Sequence, residues 1–222
     1  MRCDLPTTST LPTLALMPNP EKPPLILVTG PPASGKSTLA PLLATKLNLC
    51  CLQRDPITQR LLDALTEPFS IRTHADTRPV AAASFQVFYY VIDQLIDASV
   101  GVVAETNFHS GPSEPFLLPL VARTRMVQVY CEVAKDVSIA RFISRARQAP
   151  QPLPSSYEER IRRLEAGEES DSWRLAVPVD LDIPLIKVDS TEGYTPSLDE
   201  LVASCRTLIH QRPNRPPGSV WQ

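Results

Sequence analysis

Leu25-Ile26-Leu27-Val28-Thr29-Gly30-Pro31-Pro32-Ala33-Ser34-Gly35-Lys36-Ser37-Thr38 decides how the rest of this 222-residue chain is read. Leu25 to Thr29 is a short apolar run of the kind that forms a strand buried on both faces. Gly30 and Gly35 bracket a turn, and an amphipathic helix is predicted from about Gly35 to Leu47. Gly30 to Ser37 fits the spacing G-x-x-x-x-G-K-[ST], a match that chance gives about once in a thousand such chains. Between a strand and a helix, that spacing cradles phosphate. The loop amides and the positive end of the helix dipole converge on the anion, and glycine lets the backbone approach it. The pattern therefore predicts a nucleoside triphosphate site at Gly30, Pro31, Pro32, Ala33, Ser34, Gly35, Lys36, Ser37 and Thr38. Lys36 would supply a mobile charge to the β- and γ-phosphates, and the Ser37 hydroxyl would be a Mg²⁺ ligand.

Strand and helix signals alternate outward from this point. Leu49 to Leu52, Val100 to Ala104, Met126 to Val133 and Pro184 to Val188 read as further strands. Helices are expected near Ile57 to Ala64, Val80 to Asp97, Pro115 to Arg123, Asp136 to Arg147 and Ser156 to Ala166. In the long one, Val87, Val91 and Leu95 are expected opposite the polar Gln86, Asp93, Gln94 and Asp97. A last helix runs to about His210, with Ser197 and Glu200 as a capping box. Five apolar strands separated by helices predict an α/β fold, a parallel sheet covered on both faces. The domain should span 25–210. The proline-rich ends, 1–24 and 211–222, are expected to be disordered tails.

Composition narrows the function classes. The chain is 43% hydrophobic with net charge -2, which argues against a nucleic-acid or membrane coat. No stable nucleic-acid complex and no membrane association are expected. Seven of the 17 arginines lie between Arg141 and Arg174, so a local basic surface remains open. The five cysteines form no C-x-x-C pair and read as free thiols, those in strand-like runs being buried. A cytoplasmic protein is the expectation.

Candidate chemistry lies where strands end, because the C-terminal edge of a parallel sheet is its ligand edge. Asp55 follows the second strand in Gln53-Arg54-Asp55-Pro56. It reads either as the base that takes a proton from an acceptor hydroxyl or as the cap of the next helix. Glu105 follows the third strand and reads as a Mg²⁺ or acceptor ligand, or as a strand-end acid paired with an arginine. Arg141 and Arg145 are four apart on one helix and share a face. They would meet the transferring phosphoryl group from a small lid, or form a solvated face. No N-K-x-D base-reading pattern of GTPases is present.

With these residues in order, the chain resembles the P-loop kinase group that holds polynucleotide kinase, chloramphenicol phosphotransferase and zeta-toxin-like kinases. The resemblance rests on Gly30 to Ser37, Arg54-Asp55, Glu105-Thr106-Asn107-Phe108 and Arg141/Arg145/Arg147, and spans about Leu25 to His210. It implies a three-layer, nucleoside-monophosphate-kinase-like P-loop fold. Asp55 would be the base, the arginines would contact ATP phosphates, and Val188-Asp189-Ser190-Thr191 would lie near the adenine. Pro56 departs from the second Asp that many relatives carry. The expected activity is ATP- and Mg²⁺-dependent transfer of the γ-phosphate to a hydroxyl of a small molecule or nucleotide, with Lys36, Asp55, Arg141 and Arg145 in catalysis and Ser37 and Glu105 at the metal. A hydrolysing switch or motor, or a silent ATP-binding module, are the alternatives.

Overall fold

Leu25, Ile26, Leu27 and Val28 are all fully buried, as four successive residues can be only in a central strand covered on both faces. They belong to β1 (Pro24–Thr29), which leads through the glycine-bounded loop into α1 (Lys36–Leu47). The computed structural model describes residues 22–69, 74–148, 155–168 and 171–210. The elements continue with β2 (Cys50–Gln53), α2 (Arg54–Phe69), α3 (His74–Asp97), β3 (Val102–Glu105) and α4 (Glu114–Val121). Then follow β4 (Arg125–Glu132), α5 (Lys135–Gln148), α6 (Ser155–Glu165), α7 (Asp171–Arg174), β5 (Leu185–Asp189) and α8 (Leu198–His210).

The five strands form one parallel sheet in the order β2-β3-β1-β4-β5. The expected α/β sheet is thus present, each strand within two residues of its predicted bounds. Alternate side chains feed two cores. Ile26, Val28, Val127 and Val129 pack with Leu39 and Leu43 of α1 and Leu201 of α8. Leu25, Leu27 and Met126 pack on the other face with Phe88 and Ile92 of α3 and Leu117 of α4. Fully burying each such side chain stabilises the fold by roughly 1.5–3 kcal/mol. A third cluster, Phe142, Ala146, Ile161, Leu164 and Trp173, joins α5, α6 and α7.

Register places the ligand edge. Glu105 pairs with Val28 on one side and Gln53 on the other, so the ends of β1, β2 and β3 lie level. The Ser197–Glu200 capping box forms as predicted, Ser197 N–H donating to Glu200 Oε2 at 2.9 Å and Glu200 N–H to Ser197 Oγ at 3.4 Å.

Two expectations are corrected. On α3 the buried row is Val80, Ser84, Phe88, Ile92 and Ile96, while Val87 is exposed, because the helix turns its aromatic residues onto the sheet. Cys50 and Cys51 are exposed rather than buried, since β2 is an edge strand; Cys131 and Cys205 are the buried thiols. The short α7 was not foreseen. The expected tails lie outside the described residues apart from 22–24, where Pro24 opens β1. Among the described residues no helix is long and apolar enough to cross a membrane.

Candidate active site

Gly30 has no room for a side chain. A Cβ there would lie 2.4 Å from the Cys131 carbonyl oxygen, at a φ of +143°. Gly35 caps α1 in a left-handed conformation, φ +80°, and its carbonyl accepts from Tyr194 OH at 3.1 Å. Both glycines therefore meet a backbone demand that no L side chain satisfies cheaply. The loop between them ends at the α1 N-terminus, where unpaired N–H groups favour an anion. Ser34 Oγ is buried there with no hydrogen-bond partner among the described residues. A buried hydroxyl left unsatisfied is costly unless a ligand takes it, so the loop suits a phosphate oxygen.

Lys36 is the first residue of α1, nearly buried, and its Nζ donates to the Pro31 carbonyl at 2.7 Å. Burial lowers its pKa, Glu105 opposes that shift, and the positive charge of Arg145 adds to it. Ser37, one residue on, donates its hydroxyl to Glu105 Oε1 at 3.4 Å. Glu105 is itself buried at the end of β3, and burial raises its pKa above the usual carboxylate value, with Lys36 opposing. Two oxygen donors beside a phosphate loop fit a hard divalent cation.

Gln53 completes this group and was not singled out from sequence. Its Nε2 donates to the Ser37 carbonyl at 3.1 Å and to Glu105 Oε2 at 3.2 Å. The register Gln53–Glu105 puts it there, and a polar residue at a strand end was the sole sequence signal.

Asp55 lies within the first turn of α2 rather than ahead of it, and its side chain is 72% exposed. Its carboxylate pairs with Arg54. Arg54 is held in turn by Thr106 Oγ1 at 3.0 Å, by Ser84 Oγ at 3.4 Å and by the face of Phe85, 4.4 Å from the ring centre. Asp55 thus projects from the ligand edge on a fixed partner. Its charge reaches both Lys36 and Glu105.

The two arginines of α5 are in different situations. Arg141 donates to the carbonyls of Ser190 at 2.9 Å and Thr191 at 2.7 Å, fastening the loop after β5. Arg145 is exposed, with its charge felt at Lys36. Arg147 pairs with Glu165 of α6 at 2.6 Å. The structure therefore brings Lys36, Ser37, Glu105 and Asp55 to one edge, leaves Arg145 exposed on α5 with its charge felt at Lys36, and gives Arg141 a loop to hold. His109, four residues beyond the end of β3, is half-buried.

A family model described as "Chromatin associated protein KTI12" matches residues 23–220. The chain belongs to the KTI12 family. Among curated proteins none matches it. Of solved structures, this KTI12-family chain is similar to a candidate kinase from Chloroflexus aurantiacus, at 24% identity and a TM-score of 0.67, covering 85% of this chain and 100% of that one. It is also similar to a sugar kinase from Janibacter, at 15% identity and a TM-score of 0.51, covering 85% of this chain and 96% of that one. At such identities the likeness is one of fold: a P-loop kinase-like sheet, the architecture of nucleotide-binding phosphotransferases.

Proposed function

We propose that this KTI12-family protein is an ATP- and Mg²⁺-dependent phosphotransferase whose acceptor is a hydroxyl of a small molecule or nucleotide. The observation that carries the reading is the convergence of Lys36, Ser37, Glu105 and Asp55 on one sheet edge beside the loop. A loop alone would serve any nucleotide-binding protein; a carboxylate facing that edge is what an acceptor needs.

The loop amides from Ala33 to Thr38 would bind the phosphates, and Lys36 would exchange the Pro31 carbonyl for their oxygens. Ser37 and Glu105 would hold Mg²⁺, which when bound neutralises charge on the β- and γ-phosphates. Gln53 keeps the Glu105 carboxylate turned toward Ser37. Asp55 would take the proton as the acceptor oxygen bonds to the γ-phosphorus and the bond to the β-phosphate oxygen breaks. Arg145 would meet charge on the transferring group, and Arg141 would keep the Ser190–Thr191 loop in place beside the nucleotide.

The family's description as chromatin associated supports a second reading, in which nucleotide turnover drives attachment to a partner and no acceptor is phosphorylated. The two share the nucleotide site. Calorimetric titration of Mg-ATP into the folded parent and its Lys36→Ala variant tests that shared part. Binding by the parent and at least a tenfold loss in the variant are expected. Equal affinity would overturn the phosphate site.

A further inference from the structure

Trp173, Ser138 and Pro32 form a buried chain of hydrogen bonds that ends on the phosphate loop. The indole Nε1–H of Trp173 donates to Ser138 Oγ at 2.8 Å, and Ser138 Oγ donates to the Pro32 carbonyl at 2.6 Å. Chemistry fixes the direction. An indole nitrogen is a donor only, so Ser138 must accept from Trp173 and direct its single proton onto Pro32. All three residues are buried, Ser138 completely, so water is poorly placed to stand in for any member.

The neighbouring loop residue is held by a different contact. Ala33 sits at a φ of +58°, a left-handed conformation that residues with a Cβ adopt only when their surroundings impose it. Its methyl packs against the Phe142, Ile161, Leu164 and Trp173 cluster of α5, α6 and α7. Two successive loop residues are therefore gripped from the same side, one by its carbonyl and one by its side chain. A phosphate cradle works by aiming amides inward, which requires its carbonyls to be turned elsewhere and kept there.

We infer that Trp173 and Ser138 are positioning residues of the phosphate loop: the packing of α7 on α5 holds Pro32 and Ala33 in the conformation that receives the nucleotide. The inference rests on the nucleotide site proposed above. It goes further in assigning part of the nucleotide affinity to a segment more than 130 residues downstream of the loop. Ser138, Arg141 and Arg145 also follow one another at helical spacing on one face of α5, so the element that braces the loop carries the arginines. Because coupling between sites is reciprocal, nucleotide binding should in turn tighten the surroundings of Trp173.

The test uses the full chain with Trp221→Phe, which leaves Trp173 as its single tryptophan. Mg-ADP is titrated while indole emission is followed, and affinity is measured by calorimetry at a temperature where every variant is folded. Ser138→Ala removes the middle of the chain. Trp173→Phe removes the N–H together with part of the indole's bulk, and keeps an aromatic ring where the indole meets Phe142 edge-on with ring centroids 5.5 Å apart. A saturable emission change in the parent is expected, with Mg-ADP affinity weakened about fivefold or more in each variant. The double variant should be no weaker than Ser138→Ala alone, since both changes break one chain. Variants that melt earlier but bind Mg-ADP within twofold of the parent would overturn the inference while leaving the nucleotide site standing. If the parent does not bind Mg-ADP, or Lys36→Ala binds it equally, the nucleotide reading and this inference both fall. Should Ser138→Ala fail to fold, the affinity of Trp173→Phe decides by the same criterion.

Discussion

Ser37 and Glu105 meet at 3.4 Å across 68 residues of sequence, hydroxyl to carboxylate, at the mouth of the phosphate loop. The pairing joins the first turn of α1 to the end of β3. It makes one oxygen-rich corner from two segments far apart in sequence.

Burial of Glu105 gives that corner a pH signature. Its carboxyl titrates above the usual 4.5, chiefly because burial penalises the charged form. The sign follows: the folded protein holds this proton more tightly than the unfolded chain, so the contribution to stability is full below pH 4.5 and is lost as pH rises through the raised value. The stability of the metal-free parent relative to Glu105→Gln should fall as pH rises above 4.5 and through the raised value, measured by thermal melts at a series of pH values. Stabilisation by added Mg²⁺ and nucleotide should grow over the same window, because the metal needs the ionised carboxylate. Parallel curves for the two proteins would contradict this.

Gln53 is predicted to act through Glu105. Gln53→Leu keeps a side chain of similar size at the edge strand and removes both donors. Mg²⁺ dependence of ATP binding should shift to about fivefold higher Mg²⁺, in line with the loss of a partner that orients a metal ligand. Affinity for ATP without Mg²⁺ should stay within twofold. Calorimetry with and without the metal separates the two.

The arginines of α5 should part company on mutation. Arg141→Ala leaves two carbonyls without their donor and should cost about 1–3 kcal/mol of stability along with nucleotide affinity. Arg145→Ala, at an exposed position, should change stability by within about 0.5 kcal/mol while lowering kcat more than it weakens ATP affinity. Thermal melts and steady-state kinetics on both variants check the split. The same phenotype in both would return them to a single role.

Two glycines provide a matched comparison for the loop. Gly30→Ala must push a methyl to within 2.4 Å of the Cys131 carbonyl, whereas Gly111 at φ +94° has nothing within 4 Å. Gly111→Ala should cost about 1–2 kcal/mol from conformation alone. Gly30→Ala should cost more than that and lose nucleotide binding, as read by denaturant unfolding and calorimetry.

Much of this was legible because it is local. The strand Leu25 to Thr29, the loop glycines and Lys36 declare themselves through adjacent residues, and Ser197 with Glu200 caps a helix within one turn. What sequence left out depends on which strands become neighbours. Gln53 matters only once β2 pairs with β3 and brings it level with Glu105. Cys50 and Cys51 look like core residues until β2 turns out to be an edge. Arg141 reads as a phosphate ligand in sequence, where nothing shows that the loop after β5 presents two carbonyls to it. The buried row of α3 was misjudged because aliphatic residues lie on several of its sides, and the aromatic Phe88 won the place against the sheet.

In the proposed function, a hydroxyl acceptor is phosphorylated with Asp55 as its base. The direct measurement follows γ-labelled ATP with pooled hydroxyl compounds and nucleotides, in the parent and in Asp55→Asn, with Mg-ATP affinity determined on the same preparations. Label should pass into an organic phosphate ester with the parent. The variant should transfer about 10²-fold more slowly or worse, at unchanged affinity. Label found only as inorganic phosphate, released at the same rate by both proteins, would contradict the account and favour the partner-driven reading.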